Sequence, residues 1–344
     1  MWRLSLSALL VAALVPAATS ARPGTQKPGR PLLTYVPPSG GLCLVRADGT
    51  HRVRLTSYVA GWPSWTPGGR YVGYVESRSG LGTIAFANAR GRFLWRLVGN
   101  NLGNPLLSPD GRHMVYAWVN PAPPRGYGFI VSRLNGSDGH GIGGSMDPRG
   151  EVVGPTFAPD GQSVAFTGGP RFPPAVGGIY TIPVDGGNWR LLIRGARKPA
   201  YSPDGTRIAY VASADSSRLG VFVAGADGSD PRLLDPSAQA DWPSWSPDGM
   251  KVAFQRGSEL VVARADGSGE QVVASGLAPQ PYSRLFAWSP GGKLIAFERG
   301  SSLLVVGADG RGERVVVRRV DPATGTPPAW RAPVALPHAK RSRC

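Results

Sequence analysis

The sequence predicts an all-β fold, a β-propeller of seven four-stranded blades. The main observation is a repeated phrase: a proline, an aromatic residue, Ser-Pro-Asp-Gly and a short run of residues that favour β-strands. Copies recur about every 44 residues, the length of one propeller blade. The clearest copies are PAYSPDGTRIAYV (199–211), PSWSPDGMKVAFQ (243–255) and FAWSPGGKLIAFE (286–298), and looser ones are PSWTPGGRYVGYV (63–75), PLLSPDGRHMVYA (105–117) and PTFAPDGQSVAFT (155–167).

Each repeat supplies four strands, A to D. Strand A holds the proline and the aromatic residue, and strand B is the run typified by Ile-Ala-Phe. Strand C precedes an Asp-Gly pair and strand D follows it, as in LGVFVAGADGSDPRLL (219–234). Val, Ile, Phe and Tyr suit a pleated, half-buried surface, and Asp-Gly closes a tight hairpin.

The two ends of the repeat region complement each other. PLLTYV (31–36) reads as a B strand with no A strand before it, and PPAWRAP (327–333) as an A strand with no B strand after it. Joined, they complete one blade and close the ring. The aromatic position of strand A then occurs seven times, at Trp65, Leu107, Phe157, Tyr201, Trp245, Trp288 and Trp330.

A six-bladed ring is the alternative. The D strand of the third unit (139–146, GHGIGGSM) is rich in glycine and matches the strand pattern poorly. Pro183, at the end of the fourth C strand, is also unusual for an interior strand.

Residues 1–21 read as an export signal, with Arg3, an apolar run (4–15) and small residues up to Ala21. The apolar run is too short to span a bilayer, and no later segment is long enough. We expect this signal to be followed by a flexible leader (22–30), a propeller (31–333) and a basic tail (334–344). The signal predicts a secreted or extracytoplasmic protein, located in the periplasm or the cell wall. The alternative is a signal that is retained as an N-terminal anchor.

The formal net charge of +16 favours anionic partners. In an exported protein these are acidic envelope polymers, lipid headgroups or acidic proteins, and not nucleic acid. The alternative is that the arginines reflect genome composition and are merely solvated. We expect a monomer.

The phrase P-x-W-SPDG-x-x-IAF, with its later Asp-Gly turn, resembles the WD-like β-propeller repeat of the TolB type over all seven units. Similar propellers serve as exported or periplasmic protein-binding modules, or as the gating domain of prolyl-oligopeptidase-type peptidases. TolB has a separate domain before its propeller, and we expect none here, because only about ten residues lie between the signal and the first predicted strand. No G-x-S-x-G motif occurs, which argues against a hydrolase.

Residues for catalysis, cofactors or metals are sparse. None of the four histidines, His51, His113, His140 and His338, pairs with another at ligand spacing. We therefore expect no enzyme activity, cofactor or metal. Repeated aspartates occupy the A–B turns (Asp110, Asp160, Asp204, Asp248) and the C–D turns (Asp48, Asp138, Asp185, Asp227, Asp266, Asp309). Their recurrence indicates turn-stabilising residues, with calcium binding as the alternative.

The two cysteines, Cys43 and Cys344, leave two alternatives open. Cys43 lies in strand C of the first blade, and the tail that carries Cys344 leaves from strand A of that same blade. They form a disulfide across the closure, or Cys43 is simply buried and Cys344 is free.

Loops that depart from the repeat are the best candidates for binding. The longest B–C loops (118–128 and 167–178) and a neighbouring D–A loop (194–198) mix prolines, arginines and aromatic residues. We expect a partner-binding patch of Trp118, Arg125, Tyr127, Arg171, Phe172, Arg197 and Lys198. The alternative is that these are neutral insertions.

The sequence therefore predicts a non-catalytic exported module that binds a partner protein or an anionic envelope polymer through the face of the B–C and D–A loops. Two alternatives stay open. One is an enzyme that acts on polysaccharide or peptide in the central channel, and the other is a lectin-like sugar binder.

Overall fold

A computed structural model of the chain describes residues 31–77, 82–88, 91–97, 102–120, 126–141, 154–168, 177–213, 219–235, 240–278, 284–321 and 326–332. These residues form 28 strands. The first half of them is β1 (Leu32–Tyr35), β2 (Leu42–Arg46), β3 (Val53–Thr56), β4 (Val59–Trp65), β5 (Tyr71–Ser77), β6 (Gly82–Asn88), β7 (Phe93–Leu97), β8 (Leu102–Leu107), β9 (His113–Asn120), β10 (Gly126–Arg133), β11 (His140–Gly141), β12 (Thr156–Phe157), β13 (Ser163–Gly168) and β14 (Gly178–Pro183). The second half is β15 (Arg190–Arg194), β16 (Arg197–Tyr201), β17 (Arg207–Ser213), β18 (Leu219–Gly225), β19 (Arg232–Asp235), β20 (Ala240–Trp245), β21 (Lys251–Arg256), β22 (Glu259–Arg264), β23 (Gln271–Ala274), β24 (Phe286–Trp288), β25 (Leu294–Arg299), β26 (Ser302–Gly307), β27 (Arg314–Val317) and β28 (Ala329–Arg331).

The strands form seven antiparallel four-stranded sheets. Six blades are continuous in sequence, and the first is assembled from both ends of the chain in the order β28-β1-β2-β3. Leu33 lies opposite Trp330 across this closure, and the Thr34 hydroxyl donates to the Ala329 carbonyl at 3.0 Å. The seven-bladed prediction is confirmed, and the six-bladed alternative is wrong.

The two irregular places that favoured six blades are accommodated within seven. The third D strand, β11, is only two residues long. Pro183 is the last residue of β14, opposite Ser163, and its side chain is exposed. A proline lacks the N–H that would donate a hydrogen bond within the sheet. At the last position of a strand this loss weakens the sheet little.

Neighbouring blades are joined through the tryptophans of their A strands. Three indole Nε1–H groups donate to main-chain carbonyls in the A strand of the preceding blade: Trp245 to Ala200 at 2.9 Å, Trp288 to Ser244 at 3.1 Å and Trp330 to Ala287 at 2.9 Å. These rings also belong to apolar clusters that contain residues of two blades. The recurrent aromatic position is therefore an inter-blade packing position, as the sequence predicts.

The repeated aspartates stabilise turns. In the fifth blade the Asp204 carboxylate accepts the Ser202 hydroxyl at 2.5 Å and the Thr206 N–H at 3.1 Å. These hydrogen bonds, led by that of Ser202, lower the pKa of Asp204 to about 2. In the C–D turn of the same blade the Asp227 carboxylate accepts the Ser229 N–H at 3.0 Å.

One turn assignment was wrong. In the C–D turn of the third blade the accepting side chain is Asn135, which takes the Ser137 N–H at 3.0 Å. Asp138 lies beyond that turn and pairs with Arg133 at 2.7 Å. Asn-Gly closes a hairpin as well as Asp-Gly does, so the turn lies at Asn135-Gly136, three residues before the Asp138-Gly139 pair that the pattern indicates.

Cys43 is disulfide-bonded and fully buried in β2. Cys344, the only other cysteine of the chain, lies outside the described residues. No helix in the described part of the chain is long and apolar enough to cross a membrane.

Candidate binding face

The two faces of the ring differ in regularity. On one face every A–B turn leaves five residues between its strands, as from Trp65 to Tyr71. On the other, the B–C connections range from two residues (Arg256 to Glu259) to nine (Gly168 to Gly178). We call the first the uniform face and the second the variable face. Loops whose length and sequence vary between the blades are where a propeller can acquire binding specificity.

The variable face carries those residues of the predicted patch that the structure describes. Trp118, near the end of β9, is half-buried against an apolar cluster that includes Ile84 and Leu102. Arg197 begins β16, opposite Val211, and is also half-buried. Tyr127 lies in β10 opposite Val119. Arg125, Arg171 and Phe172 lie outside the described residues.

Lys198 does not present its side chain to solvent, which corrects its place in the patch. Only 5% of it is exposed, and its ammonium Nζ lies 2.5 Å from a carboxylate oxygen of Asp241 in the next blade. The same ammonium lies 4.0 Å from the ring centroid of Trp242. Lys198 therefore links two neighbouring A strands, because β16 begins at Arg197 and draws the lysine into the inner ring of strands.

Four A strands share a feature that sequence reasoning missed. The residue before the A-strand proline has a positive φ: Trp62 (55°), Asn104 (48°), Lys198 (54°) and Trp242 (56°). The register with strand B shifts at the same place in each of the four blades. Such bulges re-aim side chains at the rims of sheets, and a bulky residue at positive φ is strained. In the sequence, the recurring A-strand proline is the one feature that indicates these bulges.

Buried ion pairs reinforce the variable face. Glu76, at the end of a B strand, is 1% exposed and lies 2.6 Å from the Arg96 guanidinium. Asp235, at the end of a D strand, is 1% exposed and lies 3.3 Å from Arg256. Because each pair joins strand ends, these pairs fix the ends from which the variable connections leave.

Glu298, at the end of β25, is a buried carboxyl of a different kind. Its side chain is 7% exposed. Burial, and secondarily the charge of Asp321, raises its pKa to about 8. At neutral pH this carboxyl is therefore mostly protonated.

The described residues offer little for metal chemistry. No group of three or more His, Cys, Asp or Glu side chains lies close enough together to hold a metal ion within the described ranges. The variable face instead carries tryptophan and arginine side chains, which are residue types enriched where proteins bind partners. The two buried ion pairs fix strand ends on this face.

Comparison with known proteins identifies the family. The family model of the TolB beta propeller domain matches residues 41–291, more than two thirds of the chain. The chain belongs to the TolB β-propeller family. A curated relative of this TolB-type chain is the uncharacterized protein Atu1656 of Agrobacterium fabrum, 34% identical over 102 residues, or 28% of this chain and 33% of the relative. The match thus spans about a third of that relative's length.

Solved structures share the fold. TolB from Acinetobacter baumannii superposes with a TM-score of 0.51 and 22% identity over 70% of this chain and 62% of the other. An oligogalacturonate lyase in complex with manganese gives a TM-score of 0.61 and 16% identity over 78% and 82%. At this identity the likeness shows the propeller fold alone, which binding proteins and enzymes share.

Proposed function

We propose that this TolB-type propeller is an exported, non-catalytic binding module. It recognises a partner protein or an anionic polymer of the cell envelope through the variable face, at blades three to five. The observation that carries the proposal is the contrast between the two faces. The A–B turns of the uniform face, which keep one length, satisfy the fold, whereas connections that depart from the repeat are free to specify a ligand.

The chemistry of this region supports the proposal. Arg125, Arg171 and Arg197 supply positive charge, and Trp118, Tyr127 and Phe172 supply aromatic surface. Arginine pairs bidentately with carboxylates and phosphates, and aromatic rings provide contact area at low entropic cost. Lys198 contributes by fixing β16 against β20. The high positive charge adds a non-specific attraction toward anionic surfaces, which a test must separate from specific binding.

Export accords with the signal-like residues 1–21 and with the disulfide at Cys43. Disulfides persist in oxidising compartments and are rare in reducing ones.

The test compares two double charge reversals in the chain from residue 22 to 344. Arg171→Glu with Arg197→Glu alters the proposed surface. Arg112→Glu with Arg311→Glu, on the uniform face, is the control with the same change of charge. Each variant is immobilised and incubated with envelope extract at about 0.15 M and about 0.5 M salt, and the captured material is quantified.

A partner retained at the higher salt by the wild type and the control, and lost by the first variant, supports the proposal. Equal capture by both folded variants would refute the assignment of the surface. Capture that vanishes at the higher salt for all three proteins would show generic attraction by charge.

A further inference from the structure

A groove lies at the rim of the ring, between the last D strand and the first blade. Its volume is about 590 Å³, within the range of about 300–1,000 Å³ typical of small-ligand sites. One wall is β27 with the two residues that follow it, Arg318 and Arg319. The other is formed by Tyr35, Pro37 and the residues 48–52 of the first C–D turn.

The groove is strongly basic. Arg52, Arg318 and Arg319 line it against a single carboxylate, Asp48. Arg318 and Arg319 are exposed, and within the described ranges neither forms an ion pair. Three arginines against one carboxylate leave the groove with an excess of positive charge, which favours an anion there.

Two arginines, Arg52 of the first blade and Arg314 of the seventh, are held in place by main-chain carbonyls across the junction. The Arg52 guanidinium donates to the Gly49 carbonyl at 3.3 Å and to the Val316 carbonyl, in the opposite wall, at 3.4 Å. Arg314 spans the junction in the other direction and donates to the Ala47 carbonyl at 3.3 Å. These bonds leave further guanidinium N–H donors of Arg52 for a ligand, because a guanidinium carries five.

The groove also has an apolar component. Val315 is 41% exposed beside the arginines, and Tyr35 and Pro37, which are otherwise buried, line the opposite wall. Burial raises the pKa of the Tyr35 phenol, against an opposing effect of Arg52 and Arg54, so the phenol stays neutral. A compact inorganic anion would use only the guanidiniums, whereas a sugar ring has C–H faces that fill such apolar walls.

We propose that this groove, between blades seven and one, binds a short segment of an anionic oligosaccharide. Its carboxylate or phosphate substituents lie on Arg318, Arg319 and Arg52, and its sugar rings lie against Val315 and the opposite wall. The groove does not use the patch of blades three to five, so it is a second site that does not rest on the proposed function.

The experiment measures binding of a fluorescently labelled alginate hexamer, a carboxylated oligosaccharide, by anisotropy at about 0.15 M salt. Arg318→Ala with Arg319→Ala is expected to weaken the affinity at least tenfold, because two charge-assisted contacts are lost. Arg232→Ala with Arg264→Ala removes two exposed arginines from blades five and six and is expected to change it less than twofold. All four side chains are exposed, so the variants should melt like the wild type.

Competition distinguishes the sources of the charge. An unlabelled sugar chain carrying phosphates should displace the hexamer, and a neutral cellohexaose should not. Inorganic polyphosphate of matched charge should compete at least tenfold more weakly than alginate.

Three outcomes would overturn the proposal. The first is no saturable binding of the hexamer, and the second is equal weakening in both double variants. The third is polyphosphate competing as well as alginate, which would show a site for anions without selectivity for sugar.

Discussion

The ion pair between Lys198 and Asp241 should contribute measurably to the stability of the ring. It links the A strands of blades five and six, with 5% of the lysine side chain and 26% of the aspartate side chain exposed. We predict that Lys198→Met and Asp241→Asn each destabilise the protein, and that the two effects are not additive.

The two single substitutions should differ in cost because they leave different groups behind. Removing one partner of a buried pair costs about 3–5 kcal/mol. Asp241→Asn removes the counter-charge of Asp241 from an ammonium that water barely reaches, so we expect a loss of about 3–4 kcal/mol. Lys198→Met leaves a carboxylate that is partly hydrated and still accepts the Trp242 N–H at 2.9 Å. We expect about 2–3 kcal/mol there, including about 1 kcal/mol for the lost contact with the indole ring.

The double variant should be more stable than the sum of the single effects predicts. Neither charge is stranded in it, so we expect a coupling free energy of about 2 kcal/mol. The assay is urea denaturation of the four proteins, followed by tryptophan fluorescence and far-ultraviolet circular dichroism, with coincident transitions required before free energies are compared.

A matched control is the pair Arg133–Asp138, which also has a short contact of 2.7 Å but side chains 65% and 70% exposed. The same cycle there should give a coupling below about 0.5 kcal/mol, because solvent screens the pair. If the Lys198–Asp241 cycle is additive within about 0.5 kcal/mol, the argument from burial is refuted.

Three further predictions concern other sites. Glu298→Gln should remove a loss of stability that the wild type shows between about pH 4.5 and pH 8: the folded-state pKa of about 8 exceeds the ordinary 4.5, so over this range the unfolded state has released a proton that the folded state still holds. The loss is at most of the order of 5 kcal/mol and is complete by about pH 9, and parallel urea midpoints of both proteins against pH would contradict it. Trp245→Phe should lower stability by about 1–2 kcal/mol through the lost bond to the Ala200 carbonyl. Trp65→Phe should cost less, because the Trp65 Nε1–H has no acceptor among the described residues, and equal thermal shifts would count against this reasoning. Alkylation of the unfolded, unreduced protein should label no thiol, and two after reduction; labelling before reduction would contradict the disulfide.

Much of the fold could be predicted because the physical requirements repeat with the blades. Each A–B turn uses a Ser, Thr or Asp side chain to accept a main-chain N–H. Each blade also needs an apolar A-strand residue against its neighbour, so both requirements recur with the repeat in the sequence. Even the incomplete blade could be inferred, since PLLTYV lacks what PPAWRAP supplies. The weak D strand of the third unit is indeed short, at His140–Gly141.

The site was harder to predict because it lies where the period fails. Lys198 looked like a loop residue, because a strand boundary is uncertain by one or two positions from sequence. Its partner Asp241 is 43 residues away, and a pairing at that distance has no local signature. The groove between blades seven and one has the same origin: it joins residues 35–52 to residues 315–319, which only ring closure brings together.

The pairing of β1 with β28 also fixes when the molecule can finish folding. Residues Leu32–Tyr35 are synthesised long before their inner neighbour, Ala329–Arg331, because Ala329 lies 295 residues after Thr34 in the chain. Until then the first blade exposes an open sheet edge, and such an edge recruits other strands. Linking the two ends of the repeat region and opening the ring in a connection of the variable face would remove this delay. Such a circular permutant should refold faster and aggregate less, because its closing strands would be neighbours in sequence.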